Sequence, residues 1–330
     1  MTEMNRHDTP WRPSRRDALF LGIGGLIAAV PLARRSPLAL VRYNVPTMGT
    51  IAEFAVVHRD RGEAQAAIAR AVEALRTVDE TMSRFRPASD VGRANLFAAG
   101  APVPVCEATM DVLGESLWWA EASGGRFDPC LGSAARLWDP ASRRRPPAAG
   151  DVARLANRQL FRQIEIARHD GAPAVRLHDA DAQIDLGGIA KGYAVDRAVD
   201  ALRANGVEHA LVGAGGDLYA LGRSPAGEPW RVGIQSPDDP AALAGALLLE
   251  DAAVATSGDY RQYFEFGARR YHHLLDPATG EPRQSPDRSV SVIAGTCMAA
   301  DAGATLAFVM DAPRAERILA RRGARVAHRI

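Results

Sequence analysis

Ala210-Leu211-Val212-Gly213-Ala214-Gly215-Gly216-Asp217-Leu218-Tyr219-Ala220-Leu221 is the stretch whose reading decides the fold. Its glycines invite comparison with the phosphate turn of a nucleotide-binding βαβ unit. The spacing is not GxGxxG, however, and the residues after the turn read as a strand rather than a helix. Strand, glycine turn and strand make an antiparallel hairpin. Outward from it, β-like runs occupy 50–58, 163–167, 174–178, 230–234, 245–249, 252–256 and 289–293. Apolar residues at helical spacing predict helices over 63–83, 109–123, 151–162, 193–205 and 299–310, the first with Ala67, Ile68, Ala71, Leu75 and Val78 on one stripe. Consecutive strands joined by short turns predict antiparallel sheet with helices packed on one face, an α+β fold.

Just upstream lies Asp185-Leu186-Gly187-Gly188-Ile189-Ala190-Lys191-Gly192, and Lys191 is the only lysine in a chain with 40 Lys and Arg residues. Arg serves wherever a surface charge is wanted. A retained Lys among glycines points to a site that needs a compact, flexible ammonium or a point charge on phosphate. It is not a P-loop, because Lys191 precedes its glycine and Tyr193 follows it.

Composition narrows the function classes. A chain of 330 residues with 47% hydrophobic and 24% charged residues is that of a soluble globular protein of one large or two ordinary domains. A net charge of +1 offers no electrostatic case for nucleic acid or an anionic membrane surface. Cys106, Cys130 and Cys297 are odd in number and far apart, and neither CxxC nor HExxH occurs, which argues against a disulfide framework or a structural zinc. At the N-terminus, Arg15-Arg16 precede an apolar run at 18–30 that is short for a membrane span. This pattern predicts a twin-arginine export signal and linker over 1–40, ahead of a domain at 41–330. The protein is then expected to use the twin-arginine export machinery and to work in the periplasm, free or anchored to the inner membrane by an uncleaved signal.

Asp301 and Thr305, at i and i+4 on one face of an otherwise small and apolar helix, are hard oxygen donors suited to Mg²⁺. A second cluster joins 256–260 to 272–280, where Asp276-Pro277-Ala278-Thr279-Gly280 reads as a tight turn. A histidine just before that turn fits two roles: a group facing a cleft as acid, base or phosphate donor, or a ring hydrogen-bonded to stabilise the turn. Met48 and Phe127 each sit beside a backbone-permissive residue, as a pocket for a heteroaromatic ring requires, and by default both belong to the core.

In order along the chain, MGT at Met48, SRFRPASDVGRAN at 83–95, FDP at Phe127, DLGGIAKGYAVD at 185–196, GAGGD at Gly213, TSGDY at Thr256, HLLDPATG at His273 and ADAGAT at 300–305 resemble the ApbE family of FAD:protein FMN transferases. The resemblance implies a T-fold-like α+β domain that uses FAD and Mg²⁺. Such enzymes cleave the FAD pyrophosphate, release AMP and attach FMN to a Thr or Ser hydroxyl of a partner. Here the partner is expected to be an exported or membrane flavoprotein, such as one of a respiratory or nitrous-oxide-reduction electron-transfer system. Carried over by position, Met48, Phe85, Phe127, Asp128, Pro129, Lys191 and Leu274 would contact FAD. The carbonyl of Gly188 and the side chains of Asp301 and Thr305 would hold Mg²⁺. His273 would lie by the scissile pyrophosphate, and His273 or Asp301 would take the proton of the attacking hydroxyl. Phe85 and Cys130 stand where the family often has Tyr and Thr, and some members carry an acidic residue at the position of Lys191. Two other readings are an FAD pyrophosphatase using the same metal site and a non-catalytic exported FAD-binding or carrier protein.

Overall fold

The computed structural model describes residues 26–28 and 38–330. The paired arginines of the expected export signal, and most of its apolar run, lie outside the described residues. Among those described, no helix is long and apolar enough to cross a membrane.

Seven strands form the central sheet: β1 (Ala39–Thr47), β2 (Thr50–His58), β3 (His209–Ala214), β4 (Asp217–Leu221), β5 (Ala252–Gly258), β6 (Ser289–Ala294) and β7 (Arg325–Arg329). They lie side by side in chain order, and every pairing is antiparallel. The opening hairpin, β3–β4, is the middle of this meander. Strand β4 is buried along its whole length, so it reads as a continuous apolar run rather than an alternating one.

The helices α1 (Arg61–Met82), α2 (Ala190–Ala204) and α3 (Cys297–Val309) cover one face. Helix α1 starts where the Asp60 carboxylate accepts from the Glu63 amide, and it buries Ala64, Ala67, Ile68, Ala71, Val72, Leu75, Val78 and Met82 on one stripe. The other face is covered by the hairpin Trp230–Gln235 and Leu243–Leu249, whose Trp230, Val232 and Leu249 pack on Ala55, Leu211, Leu218 and Val254. The backbone of Leu26–Ala28 pairs antiparallel with the Trp230–Gln235 strand.

The α+β class and the antiparallel sheet match expectation, with several local corrections. The helix expected over 151–162 spans Ala149–Leu155 and gives way to a 3₁₀ turn at Leu160–Gln163, because Asn157 and Gln159 take φ of 54° and 49°. Helix α2 begins at Ala190 rather than at Tyr193, which moves Lys191 from a loop into a first helical turn. The strands β1 and β7, the helix Ala312–Ala320 and the hairpin Tyr263–Phe266 with Arg269–His272 are additional. Charged residues within these strands, the adjacent Arg269-Arg270 among them, conceal the strand pattern.

Candidate active site

One end of the sheet gathers the turns. Thr47 pairs with Thr50 around Met48-Gly49, Ala214 pairs with Asp217 around Gly215-Gly216, and the two turns are neighbours because β2 pairs with β3. Both central residues of each turn have positive φ (49° and 70°, then 59° and 106°), which suits the twist of the flanking strands. The Arg261 guanidinium lies over the second turn and donates to the Gly215 carbonyl; a Cβ on Gly216 would collide with it.

Asp217 leaves this turn as the first residue of β4, and its buried carboxylate meets Lys191. Lys191 Nζ stands 2.8 Å from Asp217 Oδ2 and 3.2 Å from Asp301 Oδ2. The Gly192 amide donates to Asp301 Oδ2 at 3.0 Å. That approach requires glycine, since a Cβ there would lie 2.8 Å from the Asp301 Cβ and run into the Cys297 carbonyl. One turn further along α2, Asp196 accepts from the Cys297 and Met298 amides at 2.7 and 2.9 Å and so caps α3. Burial pushes the Asp196 carboxyl up to about 6 against the pull of those amides. The two helices are thus laced together at their N-terminal ends, with Lys191 and Asp301 facing each other.

The charges do not balance. Burial alone would lower the Lys191 ammonium, but Asp217 and Asp301 hold it above its ordinary value. The Asp301 carboxyl is raised by burial first and by the like charge of Asp217 second, while Lys191 and the Gly192 amide oppose the shift. Two buried carboxylates share one ammonium, which leaves an excess of negative charge.

Thr305 follows Asp301 by one turn, its hydroxyl 3.4 Å from Ser257 Oγ at the end of β5. The backbone of Gly188 lies against it: a Cβ on Gly188 would fall 3.2 Å from Thr305 Oγ1 and 3.4 Å from the Phe127 ring. Gly188, Thr305 and Phe127 therefore form one wall beside Asp301. Asp128 points elsewhere, accepting from the Cys130 and Phe161 amides at 2.8 and 3.3 Å, and burial raises its carboxyl to about 6. Pro129 contributes its carbonyl, which accepts from the Asp185 amide at 2.8 Å. Asn95 grips the preceding residue on both sides, accepting from the Ile184 amide at 2.6 Å and donating to the Ile184 carbonyl at 2.9 Å. These bonds from Pro129 and Asn95 hold the segment leading into Gly188 at Ile184 and Asp185. Phe85 is 76% exposed and lines a cleft of about 300 Å³ with Arg84, Asn95, Arg136 and Gln183. An ion pair between Arg84 and Asp185 at 3.0 Å ties that cleft to the glycine segment. Met48 sits half-buried against the main core, and Leu274 is buried in it.

The two readings offered for a histidine before the turn fall to two adjacent residues. His272 is buried and bonded to backbone on both ring nitrogens. His273 is open to solvent at the end of the hairpin, its amide donating to the Gln262 carbonyl at 3.1 Å. Crowding of the ring by its neighbours, then the like charges of His272, Lys191 and Arg261, lowers the His273 imidazole from its ordinary value. The lowered ring is mostly neutral at pH 7, and Lys191 and Arg261 are among the cations that keep it so. Asp217 was the residue to which sequence reading assigned no role. Its signal was a carboxylate directly after Gly-Gly at the start of an otherwise apolar strand.

The ApbE family model matches residues 48–329. The FAD:protein FMN transferase of Treponema pallidum is 34% identical over 314 residues, covering 91% of this chain and 85% of its own length. That of Vibrio cholerae is 32% identical, with 84% of each chain covered. Among solved structures, the ApbE protein of Thermotoga maritima superposes with a TM-score of 0.77 at 29% identity, over 87% of this chain and 93% of its own. The Pseudomonas stutzeri flavinyl transferase ApbE does so with a TM-score of 0.74 at 31% identity, over 88% and 90%. The chain belongs to the ApbE family.

Proposed function

We infer that this protein is an FAD:protein FMN transferase, which splits the FAD pyrophosphate and joins FMN to a Thr or Ser hydroxyl of a partner protein. The observation that carries the reading is the charge arrangement at one end of the sheet, with Lys191 between Asp217 and Asp301, and Thr305 and Gly188 alongside. Relatives covering most of the chain bear the name of that activity.

The donors fit a hard divalent cation. Asp301, the Thr305 hydroxyl and the Gly188 carbonyl all offer oxygen, and the unbalanced buried carboxylate charge favours a cation. Among the described residues, no three His, Cys, Asp or Glu side chains gather at a metal-sized site. Mg²⁺, which commonly keeps few protein ligands, would draw the remainder from water and phosphate. Bound there, it would neutralise charge developing on the pyrophosphate. Lys191 brings a fixed positive charge to the same place, and Phe127 and Met48 supply apolar surface for the ring system. His273, neutral at pH 7, accepts the proton of the acceptor hydroxyl on a ring nitrogen. Its oxygen then bonds to the FMN phosphorus as the pyrophosphate P–O bond breaks and AMP departs. Asp301 is the weaker choice of base, since its charge is committed to Lys191 and the cation.

The acceptor is proposed to be an exported or membrane flavoprotein, in keeping with Arg15-Arg16 and the apolar run that follows. The test is to incubate the protein with FAD, Mg²⁺ and a candidate membrane flavoprotein domain and to weigh the products. A partner heavier by FMN, with AMP released, is the expected result. Free FMN and AMP with an unmodified partner would make the protein a pyrophosphatase, and unchanged FAD would make it a carrier.

A further inference from the structure

We propose that His272 is a positioning residue, which sets the place of His273 relative to the helix carrying Asp301 and Thr305. The proposal rests on the transferase reading above. Its basis is a closed cycle of three hydrogen bonds. The Leu274 amide donates to His272 Nδ1 at 3.2 Å, His272 Nε2 bonds the Arg283 carbonyl at 2.8 Å, and the Arg283 amide donates to the Leu274 carbonyl at 2.9 Å. Because an amide donates into Nδ1, that nitrogen carries no proton, and the ring is held as the Nε2–H tautomer that donates to Arg283. The cycle spans His273 on both sides, gripping residues 272 and 274.

Two further contacts tie the cycle to the site. The His272 ring meets Phe308 edge to face, with centroids 5.6 Å apart, and Phe308 lies one turn beyond Thr305 on α3. The Arg283 side chain pairs with the buried Asp276 at 3.3 Å, which anchors the far side of the cycle. His272 thus joins the His273 backbone to the helix of Asp301 through Phe308. A histidine serves here because a single rigid ring offers an acceptor to one strand, a donor to another and an apolar edge to a phenylalanine. The geometry gives His272 no path to substrate, since its ring is enclosed.

The test compares His272→Phe, His272→Asn and His272→Gln with the unaltered protein, measuring AMP release from FAD with Mg²⁺ and the flavoprotein-domain acceptor, alongside thermal unfolding. The Phe variant keeps a ring against Phe308 and loses both hydrogen bonds. The Asn Oδ1 can recover the bond from Leu274, and the Gln Nε2 can recover the one to Arg283. The expected outcome is a kcat lowered tenfold or more in the Phe variant, with the KM for FAD within about twofold, and partial recovery of kcat in Asn and Gln. If the Phe variant does not fold, the same KM-against-kcat split in the Asn and Gln variants decides. Unchanged kcat, a KM that moves as much as kcat, or Asn and Gln variants no better than Phe would overturn the proposal. An unaltered protein that releases no AMP would instead overturn the transferase reading.

Discussion

Two buried aspartates show how this fold separates support from chemistry. Asp276, in the tight turn after His273, accepts from the Ala278 amide at 2.9 Å and meets Arg126 at 2.6 Å and Arg283 at 3.3 Å. Asp301 shares the single ammonium of Lys191 with Asp217. One carboxylate has two cations; two carboxylates have one. The surplus positive charge around Asp276 holds a turn closed and asks for nothing more. The paired carboxylates around Lys191 are the feature on which the proposed cation site rests. Asp128, buried, and Asp196, half-buried, make a third case, carboxylates satisfied by backbone amides, and they brace loops and helix ends.

The sharpest way to break this comparison is to remove each carboxylate. Asp301→Ala should cut FMN transfer on the order of 10²–10³-fold or more, the scale of losing a main electrostatic group in a dry site. It should leave the unfolding temperature unchanged or raised, because one of two like charges is gone. A fully active Asp301→Ala protein in the mass assay would defeat the metal assignment. Lys191→Ala should come next, raising the KM for FAD about tenfold, or ~1.4 kcal/mol, more than it lowers turnover at saturating FAD. A loss of kcat at constant KM would show that the ammonium acts on the transition state instead.

The pH dependence has a definite sign. The Asp301 carboxyl is raised in the folded protein, by burial and by Asp217. Between the ordinary carboxylate pKa of ~4 and that raised value, the folded state holds a proton that the unfolded state has released. Stability linked to Asp301 is therefore full at the acid end and falls as pH rises through the folded pKa. Mg²⁺ requires the ionised form, so its affinity should climb over the same window and then level off. Calorimetric titration of Mg²⁺ into the protein at a series of pH values checks this, and an affinity independent of pH would place the cation elsewhere.

Asp276→Asn should behave in the opposite way to Asp301→Ala. Breaking a buried pair costs about 3–5 kcal/mol when the surviving charge stays buried. Arg126 and Arg283 are each about a third exposed and can rehydrate, so about 1–3 kcal/mol is the reasonable expectation here. Denaturant unfolding should record that loss, while a rise in stability would show that the turn does not rely on its charges.

What was legible in the sequence divides along the same line. The glycine-turn hairpin, the amphipathic helices and the pairing of Asp301 with Thr305 follow local rules of spacing and turn chemistry, and the structure keeps them. Asp217 obeyed no such rule, because its partner Lys191 lies 26 positions away in the chain and reaches it only through the packing of α2 on β4. The inward turn of Asp128 was hidden for a similar reason, since its second acceptor bond comes from Phe161. The hairpin ending at His272 escaped notice because arginines occupy positions that an alternating pattern would leave apolar. Only contacts between distant segments distinguish His272 from His273, two neighbours with identical side chains.

The smallest expected effect concerns Met48. A left-handed non-glycine residue costs roughly 1–2 kcal/mol, and Met48 holds φ 49° in a turn where glycine or asparagine would be relaxed. A chain that keeps Met there accepts strain in exchange for the side chain, which leans half-buried on the core beside the Gly215-Gly216 turn. Where Met48 faces the FAD ring, as proposed, that strain would serve the ring contact. Met48→Gly removes the side chain and the strain together, so unfolding should be unaffected or slightly delayed while FAD binds severalfold more weakly, both read from fluorescence titration and thermal melts of the same sample. Weakened stability with unchanged FAD affinity would mean that Met48 is a core residue like its neighbours, and that the edge of the sheet owes its chemistry to charge alone.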